Sequence, residues 1–216
     1  NPDSPSLTAT YNTTGYADDV TLSADGNTAF VADAAYGLKI IDVSDPTDPS
    51  LTGNLDTSGT AKQVTLSAEG NTAFIADGFS GLQIIDVSNP ASPSLTGNFD
   101  TSGLALGVTL SADGKTAFIA DAQDGLQVID ITNLANPSLI STLNTSGYAR
   151  DVSLSANGNT AIIADGDGGL QIINISNPAS PSLTATLDTT GYARDVTLSA
   201  DGNTAFVADQ TSGLQI

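Results

Sequence analysis

One 44-residue unit is repeated five times along this chain, and that repetition constrains the fold more than any other feature. With Gly15, Gly59, Gly103, Gly147 and Gly191 in one column, every other column aligns without a gap. Thr13, Ala17, Val20, Leu22, Gly26, Ala29, Asp33, Gly37, Leu38 and Pro49 recur unchanged wherever their column is present. A period of about 40–50 residues, rich in β-branched runs and turn signals, belongs to propeller blades rather than to a helical solenoid.

Within the first full unit, Val20–Ser23 alternates apolar and small polar residues and runs into Ala24-Asp-Gly-Asn27, a hairpin sequence. Thr28–Asp33 is nearly all apolar, as expected of a strand covered on both faces. A short variable loop leads to a third strand, Leu38–Val43, which Pro46 and Pro49 end because proline has no ladder donor. A more polar fourth strand over Ser50–Leu55 suits the outer edge of a blade. No segment carries a helical period. The fold expected is all-β: a five-bladed β-propeller of four-stranded antiparallel blades.

Asn1 to Leu7 occupy the columns of Asp45 to Leu51, and the chain closes at Ile216 inside a third strand. Residues 1–216 therefore read as one domain. In it, an N-terminal outer strand at about 6–11 completes the fifth blade at about 192–216 and seals the ring. A five-repeat piece of a longer array is the alternative. Without Met and starting at Asn, the chain reads as a processed protein or an excised segment. Similar blades also pair out of register, so a dimer swapped through Leu7 and Ile216 stands beside the monomer.

Five Lys/Arg against 24 Asp/Glu leave a net charge of −19, which repels phosphate backbones and anionic headgroups. Nucleic acid and membrane insertion are therefore not expected, and no apolar stretch reaches spanning length. No signal peptide is evident either. Without Cys there is no disulfide or thiolate chemistry, and without His there is no His-bound metal or Ser-His triad.

The third strands Gly37-Leu-Lys-Ile-Ile-Asp-Val-Ser44, Gly81-Leu-Gln-Ile-Ile-Asp-Val-Ser88 and Gly125-Leu-Gln-Val-Ile-Asp-Ile-Thr132 resemble the LVIVD repeat. The likeness runs through essentially the whole chain. It implies a β-propeller, and an extracellular or cell-surface location like that of the bacterial and archaeal surface and secreted proteins carrying the repeat. It implies no activity. Few Lys, no Cys and abundant Thr, Asn and Asp suit the same location, although a salt-adapted cytosolic protein has a similar composition.

Variation between units gathers on one face, in the loops after the second strand and the segments leading into the first. From these come the candidate ligand- or partner-binding residues Tyr16, Asp18, Asp19, Lys62, Gln63, Phe79, Tyr148, Arg150, Asp151, Tyr192, Arg194 and Asp195. Tyr and Arg are enriched at binding hot spots, and the mouth of a propeller channel is concave. Loops also drift freely in any fold, so variation alone is equally the mark of relaxed constraint.

Asp33, Asp77, Asp121, Asp165 and Asp209 end each second strand. Strict repetition favours a structural role, accepting N–H bonds from the loop that follows. Weak Ca²⁺ capture by such a ring is the alternative; otherwise no metal or cofactor is expected. Asp18, Asp19, Asp151 and Asp195 offer carboxylate pairs of the kind glycoside hydrolysis uses, but no catalytic residue is assigned, since aromatic platforms and long insertions are missing. The expected role is a non-enzymatic binding or scaffold module, a rigid propeller presenting variable loops on one face to a protein or other ligand, with a protein or a glycan as partner. A lectin-like module, with Tyr16, Tyr148, Tyr192 and Phe79 stacking on sugars, is the alternative, and a glycoside hydrolase the remote one.

Overall fold

The computed structural model describes residues 4–216, so the expectations touching Asn1, Pro2 and Asp3 lie outside the described residues. Blade 1 holds β1 (Asp19–Leu22), β2 (Thr28–Ala32), β3 (Leu38–Asp42) and β4 (Ser50–Leu55). Blade 2 holds β5 (Gln63–Leu66), β6 (Thr72–Ala76), β7 (Leu82–Asp86) and β8 (Ser94–Phe99). Blade 3 holds β9 (Gly107–Leu110), β10 (Thr116–Ala120), β11 (Leu126–Asp130) and β12 (Ser138–Leu143). Blade 4 holds β13 (Asp151–Leu154), β14 (Thr160–Ala164), β15 (Leu170–Asn174) and β16 (Ser182–Leu187). Blade 5 holds β17 (Asp195–Leu198), β18 (Ala205–Ala208) and β19 (Leu214–Gln215). Each of the first four is an antiparallel meander, and the five blades form a β-propeller. No helix among the described residues is long and apolar enough to cross a membrane.

Local chemistry explains the meander. In the β1–β2 turn, Asp25 Oδ1 accepts from Ser23 Oγ at 2.6 Å and from the Asn27 amide at 3.1 Å, while Gly26 supplies φ +73°. These bonds hold the Asp25 carboxyl below its usual range, and Asp113 and Asp201 repeat the arrangement. Gly37 opens β3 at φ +68°, and a Cβ there would collide with the Leu55 carbonyl, so only glycine lets β3 start beneath the end of β4. The β3–β4 register slips once, between Ile40 and Ile41, and the same slip recurs in the next three blades.

The core lies between blades rather than within them. Phe30, Ala32, Leu38 and Ile40 of blade 1 pack on Ala61, Val64, Ala73, Ile75 and Ile85 of blade 2, and Leu55 covers the edge of the cluster. Equivalent clusters join blades 2 to 3 and 3 to 4. Burying an Ile, Leu or Phe stabilises by about 1.5–3 kcal/mol, so these seams carry most of the folding energy. A backbone bridge crosses every internal seam: Ala34 to Ala61, Gly78 to Ala105, Ala122 to Ala149 and Gly166 to Ala193.

The expected closing strand is not formed. Residues 5–13 are in no strand, the last sheet has three strands, and among the described residues nothing pairs with the outer side of β19. First strands pack in the sequence β1/β5, β5/β9, β9/β13 and β13/β17, and no comparable packing joins β17 to β1. The physical reason is where the N-terminal segment goes. Tyr11 packs on Ala29, Val31 and Ile41, taking on blade 1 the place that Leu55 takes on blade 2. It serves as the rim of blade 1 instead of the outer edge of blade 5.

Candidate functional site

Two adjacent columns of the repeat build one depression at the axis. The first, just before each inner strand, reads Asp18, Lys62, Leu106, Arg150 and Arg194. The second, at the first residue of that strand, reads Asp19, Gln63, Gly107, Asp151 and Asp195. All of them but Gly107 line a cavity of about 350 Å³, to which eight of the twelve predicted residues contribute. Three of the five cations of the chain stand there beside four carboxylates.

Hydrogen bonds show why the second column is polar. Asp19 Oδ2 accepts from the Val64 amide at 2.9 Å, Gln63 Oε1 accepts from the Val108 amide at 2.5 Å, and Asp151 Oδ2 accepts from the Val196 amide at 3.1 Å. Each side chain thus clasps the inner strand of the next blade. Gln63 also reaches further, and its Nε2 donates to Asp151 Oδ1 at 3.0 Å, two blades on. Gly107 makes room for that contact, since a Cβ there would lie 2.9 Å from Asp151 Cα.

Asp151 is buried, and this desolvation, with the Asp195 carboxyl beside it, pushes its pKa up to about 7; the Val196 amide and Gln63 partly oppose the rise. Lys62 Nζ and Asp18 Oδ2 pair at 2.8 Å. The Arg150 guanidinium stands 5.6 Å from the Tyr148 ring and 5.5 Å from the Tyr192 ring, and Arg194 stands 5.7 Å from Tyr192. Tyr148 and Tyr192 therefore form a rim held by arginine. Tyr16 and Phe79 are not brought to it: both are over 80% exposed, and Tyr16 lines a separate depression with Tyr36.

Leu106 and Gly107 were missed because neither carries a polar group. Their columns were the available signal, since each sits in register with the charged residues of the other blades.

The repeated carboxylates act at a different place from the one expected. Their side chains reach back to the crossover from the preceding blade, not forward to the loop that follows. Asp77 accepts from Thr57 Oγ1 at 2.6 Å and from the Gly59 amide at 2.9 Å, and Asp121, Asp165 and Asp209 repeat both bonds. Burial raises the pKa of Asp77, Asp121 and Asp165, and these bonds partly offset it. In blade 1 the Gly15 amide reaches Asp33 Oδ2 at 3.0 Å, but Asp33 Oδ1 is buried with no partner.

The LVIVD repeat matches residues 14–57, 58–101, 104–145, 146–189 and 190–216. The chain belongs to the LVIVD-repeat family. No curated protein sequence matches it. Among solved structures, hydrazine synthase of Kuenenia stuttgartiensis superposes with a TM-score of 0.75 at 19% identity, over 94% of this chain and 58% of that one. A protein from Lactobacillus plantarum gives 0.77 at 15% identity, over 88% and 63%. The Cps50 (Swd1) β-propeller domain of Myceliophteria thermophila gives 0.68 at 13% identity, over 93% and 72%. At such identities the likeness is one of fold. The LVIVD chain spans less than two thirds of the length of the first two.

Proposed function

We propose that this LVIVD protein is a non-enzymatic binding module whose axial depression receives a segment of a partner protein. The observation that carries this reading is the convergence of the two variable columns on one 350 Å³ cavity. The units solve their folding problem with columns that hardly vary, and differ where five blades meet. A rigid scaffold presenting varied side chains in a concavity is the usual plan of a recognition surface. Arg150, Arg194 and Lys62 supply donors for carboxylates or carbonyls, and the rim rings supply apolar area. A chain without His or Cys has few groups for proton transfer or covalent chemistry at neutral pH, which supports binding over catalysis. The module takes no cofactor, and its acidic, Cys-free surface supports a place outside the cell.

Tyr192 favours one second reading. A ring flanked by Arg150 and Arg194 beside carboxylates is also the arrangement a glycan subsite needs. Panels of immobilised peptides and of glycans separate the two. In the preferred case, peptides bearing a free carboxylate bind and the Arg150→Ala/Arg194→Ala double variant binds at least roughly tenfold more weakly. Unchanged binding by that variant, with its melting temperature intact, removes the depression as the site. Retention on glycans alone assigns the lectin reading.

A further inference from the structure

The chain has only two arginines, and the repeat sets both at the axial depression, in the same column of neighbouring blades. Neither is spent on a carboxylate of the chain. With 24 Asp/Glu available, four of them lining the same cavity, Arg150 and Arg194 form no ion pair among the described residues. Lys62, in the column they share, is by contrast already neutralised by Asp18 at 2.8 Å. The nearby carboxylates are engaged elsewhere. Asp151 takes Gln63 Nε2 at 3.0 Å through one oxygen and the Val196 amide at 3.1 Å through the other, and Asp19 takes the Val64 amide. Aromatic rings hold the guanidinium groups instead: Arg150 stands against both Tyr148 and Tyr192, and Arg194 against Tyr192. A guanidinium held over a ring is attracted through its charge, so the N–H donors in its plane stay available for a bidentate carboxylate. Among the described residues, one 3.5 Å contact from Arg150 Nη1 to the Tyr192 hydroxyl is all that draws on them.

We infer that the partner segment proposed above for the depression is acidic and extended, with carboxylates at positions i and i+2, one for each arginine, an assignment that rests on that binding role and names its ligand. Two guanidinium groups leading into neighbouring inner strands offer two carboxylate positions rather than one. Both stand around one ring, 5.5 and 5.7 Å from the centre of Tyr192, so the two positions lie within a short span of each other. In an extended chain, residues i and i+2 point the same way and are about 6.5 Å apart, whereas i and i+1 point to opposite sides. A helical segment does not fit, since one turn is about 10–12 Å wide and fills more than the 350 Å³ of the depression. The net charge of −19 opposes an acidic ligand at a distance, but at physiological ionic strength charges more than about 8 Å away are largely screened. Two bidentate contacts at the mouth therefore decide binding, and Asp195, the remaining carboxylate of the cavity, is the local charge that works against it.

The test uses the 216-residue chain and short Gly/Ser peptides blocked at both ends, so that inserted Asp residues carry the only carboxylates. One peptide contains Asp-Ser-Asp, one Asp-Asp and one a single Asp, and binding is read by fluorescence anisotropy at fixed salt. The expected result is that the Asp-Ser-Asp peptide binds at least roughly tenfold more tightly than either of the others. The Arg150→Ala and Arg194→Ala variants each lose that preference and bind the Asp-Ser-Asp and single-Asp peptides alike. The comparison of peptides on the unaltered chain does not depend on either variant folding. Equal affinity for the three peptides, or a preference that survives both single substitutions, overturns the inference. Where such equal binding is weakened by the Arg150→Ala/Arg194→Ala double variant, the depression stays the site and only the ligand assignment falls. Binding of acidic peptides that the double variant leaves unchanged removes the depression, and both readings with it. Binding of none of the three also overturns the inference, and the broader panels above then decide the function.

Discussion

Replacing Asp121 by Ala lowers stability by about 3–5 kcal/mol, the sum of two charge-assisted bonds lost from a buried place. Asp121 is fully buried, and its carboxylate takes the Thr101 hydroxyl at 2.7 Å and the Gly103 amide at 2.9 Å. Removing it leaves both donors stranded where blade 2 crosses to blade 3. For a chain of this size the melting temperature falls by roughly 6–20 °C. The Asp33→Ala variant is the internal comparison. In blade 1 only the Gly15 amide is bonded and Asp33 Oδ1 already lacks a partner, so that change costs about 1–2 kcal/mol. Equal losses from the two variants in urea titration would contradict the crossover role.

Replacing Asp151 by Asn has an effect that depends on pH, more favourable to stability at pH 8 than at pH 4 by about 1–3 kcal/mol. Folded Asp151 holds its proton up to about pH 7, whereas in the unfolded chain it releases the proton in the ordinary carboxylate range. Between those values the folded state binds more protons, so stability falls as pH rises, and the cost is complete above about pH 7. Asn keeps an acceptor for the Val196 amide and carries no charge to desolvate, but it turns its Nδ2 donor towards Gln63 Nε2, a loss that is the same at every pH. The exposed carboxyls behave conversely. Hydrogen bonds from Ser23, Ser44 and Ser88 hold Asp25, Asp42 and Asp86 low, so their contribution is present at neutral pH and lost in acid. Asp151→Asn therefore flattens the neutral side of the stability profile and leaves the acid side alone. An unaltered profile from pH 4 to 8 in thermal melts would show that Asp151 is not held protonated.

Much of the fold was legible because each strand is written in local terms. The Asp25-Gly26 turn, the apolar run at Thr28 and the proline stop at Pro46 mark strand ends closely. The variable columns were legible for the same reason, as differences against a constant background. Ring closure was not. Column counting says which strand is missing from blade 5, but the angle between blades is set by how Phe30 and Ile40 seat against Val64 and Ile75. That is a packing result, and no single unit contains it. The partner of Asp121 was hidden by distance, since Thr101 lies 20 residues earlier across a crossover. The clue was present in the unchanging Thr and Gly columns, which a loop-local reading of Asp did not use.

The clasp at the axis has a consequence for how such a protein changes over generations. Gln63 grips the blade after its own and also touches Asp151, two blades further on, which is free to approach only because Gly107 lies between. Order along the chain therefore matters as much as content. Exchanging two units would leave every blade folded and every seam apolar, yet it would place a different side chain opposite each amide and redraw the cavity. Shuffling near-identical units is thus a way of altering specificity without inventing a residue, and the units that travel together should be those that share a clasp.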